Sequence, residues 1–122
     1  MICPLLRNIG TYDHPNLRAF QPEDPTDVVL HLLIEVGRKG TRGTDEFTVL
    51  VATPRGLAAL PPSPLGILRA GKVVVIERYD FDRLWAWVET TVDSCCADTW
   101  SQCAERLHAY FNWEFAEAQR HR

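Results

Sequence analysis

The most distinctive carboxylate in this sequence is Glu114, which lies between Trp113 and Phe115. Aromatic neighbours can exclude water from a carboxyl group, and this raises its pKa and suits it to general-acid catalysis. His108 is the alternative candidate for such a role. The alternative is that both rings pack in the protein while the carboxylate faces water. No nucleophile elbow, phosphate loop, zinc-protease motif or dinucleotide fingerprint accompanies these residues, so the sequence favours no catalytic residues.

Chemistry of a different kind could come from four cysteines: Cys3, Cys95, Cys96 and Cys103. Together with His108 they match no usual spacing of zinc ligands, so we expect no metal. The adjacent pair at 95 and 96 is a poor disulfide candidate, because a disulfide requires a specific separation of the two Cα atoms. The first residues show no apolar run with a small-residue cleavage site, which predicts a cytoplasmic protein. In that reducing compartment we expect buried free thiols, and we expect no cofactor.

The strands that must position these groups follow from hydrophobic alternation and β-branched composition. Residues 37–45, with three glycines and three cations, could bind phosphate. A phosphate loop leads into a helix, however, and a strand follows here, so the segment predicts a hairpin loop. The predicted strands are Ile2–Ile9 at an edge, Val28–Val36, Glu46–Val51, and Val73–Ile76 as a central strand.

Capping residues predict where the helices begin. Thr53 followed by Pro54 predicts a short helix, and Asp80 predicts the start of a longer one. Thr99 with Gln102 forms a capping box for a last helix. Strands precede the paired helices along the chain. This order favours an α+β fold: an antiparallel sheet of about four strands with two C-terminal helices packed on one face.

Size and charge exclude several classes of function. Residues 1–122 fit a single domain, and no apolar run reaches the roughly 20 residues of a membrane-spanning helix. For lack of such a run we expect no membrane partner. Sixteen Asp and Glu outnumber thirteen Lys and Arg, so nucleic acid is not expected as a partner either. Nine of the acidic residues fall within 77–117, against three basic ones. This region could meet a basic protein, although helix surfaces are often acidic and merely solvated.

Trp87 is the residue most suggestive of a protein interface. It lies beside the apolar stripe of the longer predicted helix, and we expect Ala86, Glu89 and Asp93 to flank it on the outer side. A tryptophan with a charged surround is typical of a binding hot spot, although a tryptophan at the edge of the core would look the same. The predicted interface consists of Asp82, Trp87, Glu89 and Asp93, with Glu114 and Glu117 as second candidates.

Several short motifs occur in the order found in a known family. They are Pro22-Glu23-Asp24-Pro25, Thr53-Pro54 with Leu57, Val73–Glu77 leading into Tyr79-Asp80-Phe81, Ser94-Cys95, Thr99-Trp100 with Ala104 and Leu107, and Trp113-Glu114-Phe115. Through them, residues 22–115 resemble the immunity protein 8 family of bacterial polymorphic toxin systems. The chain departs from the family where Cys96 and Ala97 replace a frequent acidic residue and glycine.

The resemblance implies an α+β protein without enzymatic activity, which binds and neutralises a cognate toxin domain in the cytoplasm during competition between bacteria. The acidic region predicts that this toxin is basic, and inhibition would come from occlusion of its active site or an adjacent surface. We expect a monomer or a weak homodimer. Two alternatives remain open. One is a small hydrolase-like enzyme that uses Glu114 or His108, and the other is a homo-oligomeric adaptor in which a copy covers the second face of Val28–Val36.

Overall fold

The computed structural model describes residues 1–61, 65, 67 and 71–113. In this part of the chain the strands are β1 (Pro4–Gly10), β2 (Val29–Arg38), β3 (Thr44–Ala52), β4 (Val73–Val75) and β5 (Asn112–Trp113). The helices are α1 (Pro54–Ala59), α2 (Phe81–Asp93) and α3 (Trp100–His108), and a short 3-10 turn spans Leu17–Ala19.

The strands form one sheet in the order β1-β2-β3-β4, and β5 pairs with β3 on the same side as β4. The β1–β2, β2–β3 and β3–β5 pairs are antiparallel, whereas β3 and β4 run parallel. The predicted α+β class, with two C-terminal helices on one face of the sheet, is confirmed. The short parallel pair adds to the predicted antiparallel arrangement, since the chain crosses through α1 before it returns as β4.

The position of β4 differs from the prediction of a central strand. It lies at the end of the sheet order, with β3 as its neighbour, and the side chain of Val75 is 54% exposed. A run of valines is typical of a central strand, which is buried on both faces and paired along both edges. Here one face packs on the core through Val74 and Ile76, which is enough to select the same residue types.

Alternation along β2 and β3 places the core on one side of the sheet, as predicted. Buried side chains on β2 and β3 face buried side chains on α2 and α3 in a single cluster. The opposite face of β2 carries His31, which is exposed, and Glu35, which is partly exposed. The largest fully buried side chains of the cluster are those of Ile9, Leu17, Leu32, Ile34, Val36, Phe47, Val49, Val51, Val88, Val92, Leu107 and Phe111.

All three predicted helix caps are present. The Asp80 side chain accepts a hydrogen bond from the backbone N of Arg83 at 3.2 Å. Thr99 and Gln102 form the reciprocal capping box at the start of α3. Thr53 caps α1, and its Oγ1 also accepts from the backbone N of Val28 at 2.9 Å. This buried hydroxyl therefore ties the start of α1 to the start of β2.

The cysteine prediction is half wrong. Cys95 and Cys103 are buried free thiols, as expected. Cys3 and Cys96, however, form a disulfide with an S–S distance of 2.09 Å. The backbones of Ile2 and Ala97 exchange two hydrogen bonds, of 2.6 and 2.9 Å, and this bridge brings the two cysteines together. The pairing depends on residues 93 positions apart, so no local spacing reveals it.

Candidate interaction surface

Four of the six residues predicted for an interface lie on α2. Asp82, Trp87, Glu89 and Asp93 are all exposed, which an interface requires. Helix α2 begins with the capped first turn at Asp80 and buries its opposite side through Leu84, Val88, Thr91 and Val92. Glu114 and Glu117, the second candidates, lie outside the described residues.

The three carboxylates share one side of α2, which we call the acidic stripe: Asp82, Glu89 and Asp93. Their spacing of seven and four residues keeps them within an arc of about 40° at 3.6 residues per turn. Trp87 lies about 140° away around the same helix. The carboxylates therefore do not surround Trp87, and one flat partner surface cannot centre on both features.

Trp87 instead borders a cavity between α2 and the open end of the sheet, which we call the Trp87 groove. Its volume is about 250 Å³. Its apolar lining comes from Val74, Val75, Ile76, Leu84 and Trp87, and its charged lining comes from Glu77, Arg78, Asp80 and Arg83. The Trp87 ring is 39% exposed. It also meets the fully buried Phe111 ring edge-on, with 6.0 Å between centroids, so a rigid aromatic wall faces the groove.

The four charges of the groove are not all paired with one another. Arg83 Nε lies 3.8 Å from Asp80 Oδ2, and the same carboxylate caps α2. Within the described residues, no ion pair or hydrogen bond reaches the side chains of Glu77 and Arg78, both of which are exposed. An exposed ion pair stabilises the fold little, so the charges of the groove remain available to a binding partner.

His108, the proposed proton-transfer residue, has a local structural role. Its Nδ1 accepts a hydrogen bond from the backbone N of Trp113 at 3.2 Å, which holds the turn between α3 and β5. Lys72 Nζ donates to the carbonyl oxygens of His108 and, at 2.9 Å, of Phe111. The histidine is thus tied to the end of α3, and Glu114, the alternative catalytic candidate, lies outside the described residues.

The two free thiols, Cys95 and Cys103, are both buried. Burial raises the pKa of the Cys95 thiol, whose Sγ donates to the Thr91 carbonyl oxygen at 3.3 Å. A raised pKa disfavours the reactive thiolate. In the ranges that the structure describes, no three His, Cys, Asp or Glu side chains are placed to share a metal ion, and no helix is long and apolar enough to cross a membrane.

A second depression, of about 540 Å³, lies against the second face of β2. Its lining includes His31 and Thr48 from the sheet, together with Tyr12 and His14 from the loop after β1. The His14 ring packs on Phe20 with 4.5 Å between centroids. The sequence pointed to this face through the adaptor alternative, but not to its lining by Tyr12 and His14. The Trp87 groove was not predicted at all, because it depends on elements distant in the chain. For the groove, the sequence signal was the helical phase of Trp87.

The family of this chain is shown by a match to a family model and not by an individual relative. Neither the curated proteins nor the solved structures contain a significant match. The family model of immunity protein 8 matches residues 5–117, which include all of the described strands and helices except the first residue of β1. The resemblance seen in the short motifs is therefore confirmed, and the chain belongs to the immunity protein 8 family.

Proposed function

We propose that this protein binds a cognate toxin domain of a bacterial polymorphic toxin system and neutralises it by occlusion. The observation that carries the proposal is the family match over residues 5–117. Occlusion requires an exposed, rigid surface and no reacting group. Helix α2 offers such a surface, because its buried side packs on the sheet while its other side faces solvent.

Binding without catalysis is the mode that we propose for this chain. Its family supports a non-enzymatic role. In addition, the Nδ1 atom of His108 is occupied by the backbone of Trp113, which does not favour the hydrolase alternative. The adaptor alternative would use the second face of β2, and light scattering of the purified protein distinguishes it, since we expect a monomer or a weak homodimer.

Electrostatic steering by the acidic stripe is the second part of the proposal. Asp82, Glu89 and Asp93 lie together on solvent-exposed α2, where they would attract a basic toxin and orient it during encounter. Steering acts mainly on the association rate and weakens as salt screens the charges. The stripe would therefore speed up binding more than it holds the complex together.

The test is to mix this protein with the purified C-terminal domain of the toxin encoded beside it, and to measure binding and toxin activity. We expect a stable complex and loss of toxin activity. Neutralising the stripe (Asp82→Asn, Glu89→Gln, Asp93→Asn) should slow association several-fold at low salt and much less at high salt. The matched control neutralises three exposed carboxylates outside the stripe, at Asp13, Asp98 and Glu105.

Two results would count against the proposal in different ways. If no complex forms and the toxin stays active, the immunity function is wrong. If a complex forms but its association rate is independent of salt and of the stripe, only the steering part is wrong.

The expected cytoplasmic location stays a prediction. Disulfides such as Cys3–Cys96 persist mainly in oxidising compartments and are rare in the cytosol. Trapping the thiols of cells that express the protein therefore tests the location directly. Four alkylated cysteines would fit the cytoplasm, whereas two alkylated cysteines and one disulfide would contradict it.

A further inference from the structure

The outer edge of β4 exposes backbone groups that β3 does not use. The backbone N of Leu50 donates to the Lys72 carbonyl at 3.4 Å, and the backbone N of Ile76 donates to the Ala52 carbonyl at 3.0 Å. In a parallel pair with this register, the N–H and C=O of Val74 also face β3. The N–H and C=O groups of Val73 and Val75 therefore point away from the sheet. Within the described residues, no hydrogen bond reaches them.

The Trp87 groove lies directly beside this edge. Val74 and Ile76 point to the helix side of the sheet, where they pack on the core and line the groove with Leu84 and Trp87. A strand added alongside β4 would direct alternate side chains to the same side. The edge thus offers backbone hydrogen bonds, and the groove offers a place for one apolar side chain from the same incoming segment.

We infer that an extended segment of the toxin domain pairs with the outer edge of β4 and inserts an apolar side chain into the Trp87 groove. This inference rests on the proposed function, and it names the surface that the proposed function leaves open. Strand addition to an exposed edge is a recurring mode of recognition, in which the backbone supplies affinity and the pockets supply specificity. Tryptophan in a partly covered pocket is a frequent hot spot.

Charge also indicates the chemistry of the incoming segment. Arg78 borders the groove, and within the described residues no carboxylate pairs with it. Glu77 also borders the groove without an ion pair among the described residues, so the partner segment should carry a carboxylate for Arg78 and a cation for Glu77 next to its apolar side chain. Such a segment is compatible with a toxin domain whose basic surface is attracted by the acidic stripe during encounter.

A second copy of this chain fits the edge less well. Strand β4 holds only valines (Val73–Val75), so two copies of it paired with each other would bring no carboxylate to Arg78 within the strands. The charge of the groove therefore favours the toxin segment as the occupant, and self-association is an outcome of the test.

The test compares two substitutions at one position, measured by titration with the purified toxin domain. Val75→Pro removes an outward N–H that β3 does not use, so it leaves the β3–β4 hydrogen bonds in place and blocks an added strand. Val75→Thr retains the N–H and the β-branched shape. We expect Val75→Pro to weaken binding at least about tenfold and Val75→Thr to bind within about twofold of the unmodified chain. Trp87→Ala should weaken binding about thirtyfold.

Hydrogen exchange of the unmodified chain is the second measurement, because it does not depend on how a variant folds. In the complex, the amides of Val73 and Val75 should become protected from exchange. Full binding by Val75→Pro, or unprotected amides at both valines in a stable complex, would overturn the inference and leave the proposed function intact. Self-association that Val75→Pro abolishes would also overturn it. Absence of any complex with the unmodified chain would contradict the proposed function, and this inference with it.

Discussion

The two edge strands of the sheet, β1 and β4, differ in length and in the features that protect them from pairing with another chain. Strand β1 is seven residues long, and its edge is interrupted by a bulge between Leu6 and Asn8. The exposed Arg7 side chain donates to the carbonyl oxygens of Arg38 and Thr41. The disulfide at Cys3 fastens the start of this strand to the turn before α3. Strand β4 has three residues, all valine, with no bulge, proline or charge.

The contrast matters because an open strand edge invites pairing with another chain. Proteins usually block such edges with charged side chains, proline, bulges or covering segments. Strand β1 carries several of these devices, and β4 carries none of them within its three residues. The difference indicates that β1 is protected against pairing, whereas β4 is protected mainly by being short. This is the expected arrangement if one edge binds a partner and the other must not.

The largest expected effect comes from removing the disulfide that fastens β1. Replacing both residues, Cys3→Ser with Cys96→Ser, should lower the free energy of unfolding by about 2–4 kcal/mol, because the bond closes a very long loop in the unfolded chain. Toxin binding at a temperature where the variant is folded should be unchanged. Thermal unfolding with and without dithiothreitol measures the effect.

Reduction itself provides the control for this prediction. Dithiothreitol should lower the melting temperature of the unmodified chain and leave that of the double variant unchanged. If the unmodified chain melts at the same temperature in both conditions, then Cys3 and Cys96 are not linked in solution. If the double variant loses toxin affinity, then β1 is part of the binding surface and the contrast between the edges is wrong.

A smaller effect is expected when the same charge is placed on each edge in turn. Val75→Lys on β4 and Leu5→Lys on β1 replace side chains of similar exposure, 54% and 47%. Each should change the free energy of unfolding by no more than about 0.5 kcal/mol, because neither side chain is in the core. An edge lysine hinders strand pairing, so Val75→Lys should weaken toxin binding about tenfold, or about 1.4 kcal/mol.

Leu5→Lys is the matched control, and it should bind the toxin domain like the unmodified chain. Equal loss of affinity in both variants would mean that added positive charge, and not the edge of β4, is responsible. If only Leu5→Lys lost toxin affinity, β1 and not β4 would be the edge that binds the partner.

Local patterns in the sequence were sufficient to predict most helices and strands. The pairing of segments distant in the chain could not be predicted from them. The caps at Thr53, Asp80 and Thr99 depend on hydrogen bonds within a few residues, so they could be predicted. The place of β4 in the sheet depends on a parallel pairing across α1, and valines alone do not reveal which strand lies at an edge. The disulfide depends on the return of the chain to its own start.

The candidate site shows the same division. The exposure of Trp87 and of the acidic stripe follows from the helical phase of α2, and both were predicted as surface features. The angle between them could also be calculated from helix geometry, and it separates the tryptophan from the carboxylates. The other wall of the groove could not be predicted, since Val74 and Ile76 reach it only through the sheet.

The smallest expected effect concerns the connection between β1 and β2, which contacts α1 and the residue before Asp80. Asp24 in this connection accepts hydrogen bonds from the backbone N and the hydroxyl of Thr26 and pairs with Arg55 of α1 at 3.1 Å. The next residue, Pro25, accepts through its carbonyl from the backbone N of Tyr79, just before α2, at 2.7 Å. Arg55 and the turn at Asp24 therefore help to place the connection against the elements that border β4.

The pH dependence of Asp24 gives this last prediction its sign. The hydrogen bonds from Thr26, and then the nearby Arg55, hold the pKa of the Asp24 carboxyl below its ordinary value of 3.8. A carboxylate with a lowered pKa stabilises the fold above its ordinary pKa, and this contribution is lost as the pH falls through the lowered value. Asp24→Asn should therefore melt slightly below the unmodified chain near neutral pH, and the difference should vanish in acid. The effect should be small because the pair with Arg55 is exposed. Melting temperatures between about pH 6 and pH 2 measure it, and a difference that stays constant over this range would show that the charge of Asp24 plays no part.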